Sequence, residues 1–264
     1  MSELPSSKSA AKSFSLSKNW KKYTVEFLLV FVAVFLGFVA ENTRERFAEK
    51  QQAMELAKSF YEELKNDSIA VTKTVEGRLK KERAIEYMIA FFKDSSLHST
   101  SKDLSINFIW AMTARTPIIF TPRTVVLEQL KSSGSLRYFK NKELQKLIGD
   151  LSVDIDYIKA RQEYENSIFS NYMEPIMIRH MDFSFQFKLF EKGIFDRLAE
   201  YENNDEYIPF HLSQIDKIDR EAISNALGYY HTNGLKSTRL IPFKKYIEVN
   251  AATLSALRKE YNLK

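Results

Sequence analysis

The residues in this sequence that could do chemistry are four histidines and a few short polar motifs. Ser133-Gly134-Ser135 resembles the centre of a nucleophile elbow, but it lacks the flanking glycines and no predicted strand precedes it. The acidic residues between 200 and 206 lack the alternating ligands and the glycine of a calcium loop. No two histidines have the spacing of metal ligands: His98, His180, His211 and His231. We therefore expect no catalytic residue, no metal site and no cofactor, and predict that the protein is not an enzyme.

The composition favours an all-α protein. Among 264 residues there are 7 glycines and 6 prolines, whereas 28% of the residues are charged. A sandwich or barrel needs many turn residues, so this composition suits long helices better. The absence of cysteine excludes disulfides, thiolate zinc sites and thiol nucleophiles, and it does not distinguish an oxidising compartment from a reducing one.

The net charge of +5 is concentrated at the N-terminus. Residues 1–22 contain five lysines and one glutamate, which account for four of the five charges, so the rest of the chain is close to neutral. A nucleic-acid-binding protein shows a basic face in its folded part. This chain instead has a serine- and lysine-rich segment, residues 1–19, which we predict to be a disordered cytoplasmic tail. We expect the lipid bilayer, and no nucleic acid, as a partner.

A continuous apolar run over residues 25–40 predicts a transmembrane helix over residues 20–41. The run alone makes about 24 Å of helix, which is short for a hydrocarbon core of about 30 Å. Flanking residues extend it, because aromatic rings settle at the membrane interface and lysines reach out of the membrane along their alkyl chains. The interfacial residues in this prediction are Trp20, Lys21, Lys22 and Tyr23.

The charges around the span predict its orientation. Five lysines precede the apolar run, whereas acidic and basic residues are mixed after it, so the N-terminus is expected in the cytoplasm. The C-terminal domain would then be periplasmic and anchored in the inner membrane. A cleaved signal peptide is the alternative, but cleavage after Ala40 would put Phe38 at the −3 position, which favours small residues. A retained signal anchor is the better interpretation.

Three residues inside the span suggest more than an anchor. Glu26 lies one turn into the membrane, where an ionisable group can serve proton handling or pairing. The simpler interpretation is that Glu26 reaches the interface or pairs with Lys22 at i−4. Ala33 and Gly37 form a small-xxx-small pair, which can let two helices approach closely or can reflect the usual composition of spans.

Residues 42–93 predict a long juxtamembrane helix that continues from the span. They contain one glycine and no proline, and their apolar residues recur at spacings of three, four and seven. Lys50 and Arg78 occupy core-like heptad positions, which argues against a simple coiled coil. Asn66-Asp67-Ser68 resembles an N-cap, and the sequence leaves open whether the helix breaks or kinks there. The apolar stripe includes Met54, Ala57, Phe60, Tyr61, Leu64, Val71, Val75 and Leu79.

Caps and breakers divide residues 94–264 into further helices, which we expect to form an extracytoplasmic bundle packed on residues 42–93. Thr121-Pro122 is expected to start one helix, Gly134 to end it in a left-handed conformation, and Asn141 to cap the next. Two last helices, separated at Gly234, are expected over residues 219–231 and 238–261.

The chain resembles a family of uncharacterised single-span membrane proteins of Gram-negative bacteria, which is classified only as a domain of unknown function. The resemblance implies an inner-membrane anchor with a helical periplasmic domain, and it implies no activity. It rests on the span and its exit (31–45), on Leu130-Lys131-Ser132-Ser133-Gly134-Ser135-Leu136 with Asn141-Lys142-Glu143-Leu144, and on the C-terminal Leu257-Arg258-Lys259-Glu260-Tyr261-Asn262-Leu263.

These observations favour a non-enzymatic scaffold or interaction protein, which would contact a second copy of itself or another envelope protein. The alternative is a periplasmic sensor of a small molecule or of the state of the envelope. A sensor would need a membrane partner to carry its signal, since the predicted cytoplasmic tail is too short for an output domain. An envelope enzyme is the least supported class, because no pattern of convergent polar side chains is recognisable.

Overall fold

The computed structural model describes residues 20–191 and 195–263, so the predicted tail over residues 1–19 lies outside the described residues. The described part of the chain is helical and contains no β-strand, which confirms the predicted all-α class and its long N-terminal helix. The α-helices are α1 (Trp20–Asp94), α2 (Lys102–Phe108), α3 (Val125–Ser132), α4 (Lys142–Ile168), α5 (Glu174–His180), α6 (Phe183–Phe190), α7 (Phe195–Asn203), α8 (Arg220–Tyr229) and α9 (Lys244–Tyr261).

Four π-helical segments extend or join these helices. In a π-helix the backbone hydrogen bonds run from i to i+5, so the segment carries one more residue per turn and bulges sideways. The segments are π1 (Ile109–Thr113), π2 (Phe169–Met173), π3 (Tyr230–Lys236) and π4 (Arg239–Phe243). Helix α2 continues into π1, and π2 joins α4 to α5. Segments π3 and π4 lie between α8 and α9.

The chain divides into two compact units, residues 1–52 and 53–264, with the boundary inside α1. In the described part of the first unit the apolar side chains are exposed, including Phe27 (70%) and Phe38 (72%). By length and composition, α1 is long and apolar enough to cross a membrane. A contiguous exposed apolar surface of this kind is typical of a segment that lipid covers.

The second unit contains two apolar cores. The first surrounds the C-terminal turns of α1 and draws residues from α2, π1, π2 and helices α5 to α8. The second surrounds α1 between Ala53 and Val71 and draws residues from α3, α4 and α9. Much of the predicted apolar stripe is buried here, including Phe60, Leu64 and Phe92. Burial of such side chains contributes about 1.5–3 kcal/mol each.

The N-cap-like triplet Asn66-Asp67-Ser68 does not break α1, because the helix passes through it without interruption. The side chains of Asn66 and Ser68 hydrogen-bond to backbone carbonyls four residues earlier, which is compatible with a helix. Asp67 faces the interior and is fully buried. The polar triplet therefore serves tertiary contacts and not a helix start.

The predicted cap at Thr121 is wrong. Helix α3 begins at Val125, and Thr124 at its N-cap position makes no side-chain capping bond. Glu63 of α1 replaces the cap, since its Oε2 accepts a hydrogen bond from the backbone N–H of Val126 at 3.1 Å. Three other predicted boundary residues are confirmed: Gly134 is left-handed (φ 67°), and Asn141 and Asp219 cap α4 and α8.

Gly234 does not break the last helical stretch, because it lies inside π3. A Cβ at this position would lie 3.1 Å from Cδ2 of Tyr230 and 3.4 Å from Cγ of Glu165. The glycine therefore permits a close approach between π3 and α4. Pro242 lies inside π4, where its missing N–H removes one helical hydrogen bond and is consistent with the local change of helix type.

Candidate functional site

A buried polar segment of α1 lies between the two apolar cores. The predicted stripe places Val75 and Leu79 inward, but both are only partly buried. The side chains that are buried instead are polar or charged, which is costly unless they are paired. They are Thr74, Arg78, Lys81 and Glu82.

Arg78 forms the centre of this segment. Its side chain is 0% exposed, and its Nη1 donates to Oε2 of Glu165 on α4 at 2.8 Å. Its guanidinium also stacks on the ring of Phe243 in π4, with 4.5 Å from Cζ to the ring centroid. Among the described residues none accepts a hydrogen bond from Nε or Nη2 of Arg78. Two buried donors of a charged group are thus left without a partner, which is rare in protein interiors.

Lys81 lies one turn further along α1 and is also fully buried. Its Nζ donates to the backbone carbonyls of Trp110 at 3.0 Å and Ala114 at 3.1 Å. These carbonyls lie at the C-terminal end of the α2–π1 helix, where backbone oxygens lack intrahelical partners. The rings of Phe169 and Tyr230 lie 5.8 and 5.7 Å from Nζ.

The charges around Lys81 do not balance. Burial lowers the pKa of Lys81 to about 7, and the carboxylate of Glu165 opposes this shift. The neighbouring Arg115 and Arg78 lower that pKa further, because they add positive charge. Burial is also the main cause that raises the pKa of Tyr230, and the charge of Glu165 adds to it. Two arginines and, when it is protonated, Lys81 therefore share the field of one buried carboxylate, Glu165.

All four π-helical segments contribute to the surroundings of Arg78 and Lys81. Segment π1 supplies the carbonyl of Trp110, and π2 supplies the ring of Phe169. Segment π3 supplies the ring of Tyr230, and π4 supplies the ring of Phe243. π-Helical segments occur often at functional sites, so their convergence on one buried cluster singles it out.

A surface cleft of about 310 Å³ opens beside this cluster. Arg78 is fully buried and also lines the cleft, so it lies at the cleft floor. The half-buried Arg115 hydrogen-bonds to Asn166, and its guanidinium lies 4.3 Å from the ring centroid of Phe169. The charged residues in the lining are Arg78, Arg115, Lys159, Glu163 and Glu165.

A second buried charged cluster has a structural role. Oδ2 of Asp67 accepts hydrogen bonds from the backbone N–H of Arg123 at 2.9 Å and from the hydroxyl of Tyr246 at 3.1 Å. Its Oδ1 accepts one from the Arg123 side chain at 3.0 Å. Burial raises the pKa of Asp67 and of Glu63, and these hydrogen bonds oppose the shift at Asp67. The two carboxylates hold the start of α3 and helix α9 against α1.

The histidines and the acidic segment lie outside the cleft. Nδ1 of His180 is 3.0 Å from the carbonyl of Ser213, and Nε2 of His231 is 3.2 Å from Oε1 of Glu86. His98 and His211 are exposed. In the described ranges no three His, Asp or Glu side chains are grouped as metal ligands would be. In the acidic segment, Glu202 of α7 pairs with Lys80 and accepts a hydrogen bond from the Trp110 indole.

The predicted membrane residues all lie in the first unit. Trp20 and Tyr23 are exposed, and Nζ of Lys22 lies 4.0 Å from Oε1 of Glu26, the i,i+4 arrangement expected from the sequence. A Cβ at Gly37 would meet nothing within 4 Å in the single chain. Ala33, one turn before it, is exposed as well.

The sequence contains one signal for the cleft. Arg78 stands at a core-like position of a helix, and a buried arginine requires a partner from elsewhere in the chain. The partner, Glu165, lies 87 positions away, so no local pattern connects the two. The cleft offers fixed positive charge and hydrogen-bond donors, which suit binding of a negatively charged group. No protein-family model, no curated protein and no solved structure matches this chain.

Proposed function

We propose that the protein is a non-enzymatic, single-pass membrane protein that acts as a scaffold, through contacts with a second copy or with another envelope protein. One observation carries this proposal. A single helix, α1, contains both an exposed apolar segment of membrane-spanning length and side chains that form the core of the helical unit. A fold built on its own anchor helix is suited to hold that unit at a membrane surface.

The location belongs to the same proposal. The lysine-rich N-terminus favours an orientation with the N-terminus in the cytoplasm and the helical unit in the periplasm, anchored in the inner membrane. The resemblance to single-span proteins of Gram-negative bacteria supports this assignment. In this orientation Glu26 lies near the membrane interface next to Lys22. Ala33 and Gly37 offer a face on which a second helix can pack.

Photocrosslinking in intact membranes tests the proposal. Phe47 is 70% exposed and lies just beyond the predicted span, so a photoreactive phenylalanine analogue there should capture a neighbouring protein as a discrete adduct. The matched control places the same analogue at Phe60, which is fully buried and should give no intermolecular adduct. Reporter fusions at each terminus check the orientation. A chain that gives no adduct from Phe47, or a cytoplasmic C-terminus, would contradict the proposal.

A sensor is the second candidate function, and the cleft beside Arg78 is the observation that favours it. Helical bundles hold small molecules between their helices, and the cleft volume of about 310 Å³ is at the small end of the usual range. A ligand that binds only the folded state must stabilise it. The full chain in detergent micelles should therefore melt at a higher temperature with at least one member of a panel of charged and neutral metabolites.

A further inference from the structure

We propose that the cleft beside Arg78 is a binding site for a small oxyanion, that is, a molecule that presents a carboxylate or phosphate group to arginine side chains. The inference deepens the second candidate function, on which it rests, by naming the chemical class of the ligand. The site consists of Arg78 at the floor with Arg115 and Lys159 on the walls.

The charges that line the cleft do not balance. Of the three cations in the lining, Lys159 lies 3.9 Å from Asp156, which is outside the cleft. The imbalance therefore rests on the two arginines, Arg78 and Arg115, which lie beside the carboxylates Glu163 and Glu165. Of these carboxylates only Glu165 is buried, and it is shared with the fully buried Lys81. Buried charges are stable when they are paired, so this cluster favours an additional anion.

Arg78 has unused hydrogen-bonding capacity. A guanidinium has five N–H donors in a fixed planar arrangement that matches a carboxylate or phosphate with two parallel bonds. Glu165 takes a bond from Nη1, while among the described residues nothing accepts from Nε or Nη2. Nε and one Nη group form the edge of a guanidinium that commonly binds oxyanions in bidentate fashion.

The access and the size of the cleft suit a small anion. Arg115 is partly exposed and Lys159 is exposed, so both can meet an anion that approaches from solvent. Gln162 holds one wall in place, because its side chain bonds to both the N–H and the carbonyl of Phe120, at 2.8 and 2.9 Å. A cleft of about 310 Å³ is large enough for a small carboxylate or phosphate.

The test compares salts at equal ionic strength on the full chain in detergent micelles. Potassium phosphate, acetate and succinate are each measured against potassium chloride, together with neutral probes such as glucose and uridine. At a hundredfold excess over Kd, a bound oxyanion should raise Tm by about 5–10 °C above the chloride value. A comparison of acetate and succinate with phosphate shows whether the site binds carboxylates, phosphates or both.

Two variants locate the site. Arg115→Gln removes a charged wall residue and should weaken oxyanion binding at least about tenfold. Arg83→Gln is the matched control, because Arg83 is exposed on α1 and does not line the cleft, and its affinity should equal that of the wild type. The double variant Arg78→Met with Glu165→Met removes both buried charges together, so that neither is left alone, and it should also lose binding.

The outcomes separate the inference from the candidate function. Stabilisation by an oxyanion that is lost in Arg115→Gln and kept in Arg83→Gln supports the site. If chloride and oxyanions raised Tm equally, or if both arginine variants lost the same affinity, the effect would be general charge screening. Either result would overturn the proposed site. A neutral probe that stabilises where oxyanions do not would overturn the ligand class and leave the sensor function standing. No stabilisation by any probe would overturn both.

Discussion

Arg78 donates a hydrogen bond to Glu165 over 2.8 Å, in an ion pair whose side chains are 0% and 6% exposed. Removing one partner of such a pair leaves an uncompensated buried charge, which costs about 3–5 kcal/mol. We expect Arg78→Met to lower the free energy of unfolding by this amount, and the double variant with Glu165→Met to recover much of it. Urea unfolding of the full chain in micelles measures both values.

The control for this prediction is an exposed ion pair. Lys131 and Glu128 are 3.4 Å apart on the surface of α3, so Glu128→Gln should change stability by less than about 0.5 kcal/mol. If Arg78→Met were as mild as Glu128→Gln, the buried pair would contribute no more than a surface contact and the site would lack its structural basis.

Lys81 predicts an unusual dependence of stability on pH. Its pKa in the folded state is lowered to about 7 by burial, against 10.5 as the ordinary value. Between these two pH values the unfolded chain binds one more proton than the folded chain, so stability rises with pH in this window. Below pH 7 both states are protonated, and this contribution no longer changes with pH.

The slope from Lys81 is up to about 1.4 kcal/mol per pH unit, and it should disappear in Lys81→Met. The measurement is the difference in unfolding free energy between wild type and Lys81→Met at pH 6, 7, 8 and 9. Lys81→Met also leaves the carbonyls of Trp110 and Ala114 without their donor, so the pH dependence of the difference, and not its size at one pH, is the readout. A difference that stays constant from pH 7 to pH 9 would contradict the prediction.

The sequence was sufficient for the fold class and for several helix ends. Local signals of this kind depend on one residue and its neighbours, as at Asn141, whose Oδ1 accepts hydrogen bonds from the N–H groups of Glu143 and Leu144. The sequence did not predict interactions whose partners are distant in the chain. Thr121 has the chemistry of a cap, but Glu63 on another helix satisfies the start of α3. Gly234 is a residue type that often ends a helix, but here it lies within π3 and permits the close approach of Glu165.

The candidate site could not be predicted for a related physical reason. Period-3.6 patterns identify which residues face a core, and they assume that the core is apolar. Over the Arg78–Glu82 stretch of α1 the buried face is charged, and its partners come from α4 and from the π-helical segments. Bulges of this type have no short sequence signature, so the convergence on Arg78 becomes visible only in three dimensions.

Glu63 predicts the cost of removing a cap supplied from another helix. Its Oε2 accepts from the N–H of Val126 at the start of α3, and substitution of a capping residue by alanine costs about 0.5–2 kcal/mol. Glu63→Ala should therefore destabilise the second unit by about this amount, whereas Glu63→Gln keeps an acceptor and should cost less. Glu62→Ala, an exposed neighbour on α1, is the control. Equal unfolding free energies for Glu63→Ala and Glu62→Ala would exclude the capping role.

Gly37 predicts how the span responds to a larger side chain. In the single chain a Cβ at Gly37 meets nothing within 4 Å, so Gly37→Leu should leave folding and insertion of a monomer unchanged. If Ala33 and Gly37 form a contact between two spans, leucine forces the helices apart and dimerisation falls.

Because the chain has no cysteine, a single introduced cysteine at Phe47 reports dimers as a disulfide-linked band. Val39→Leu adds bulk on the opposite helix face and is the matched control. Loss of the dimer band in Gly37→Leu alone supports the contact, and an unchanged band in both variants would show that the small pair is not an interface.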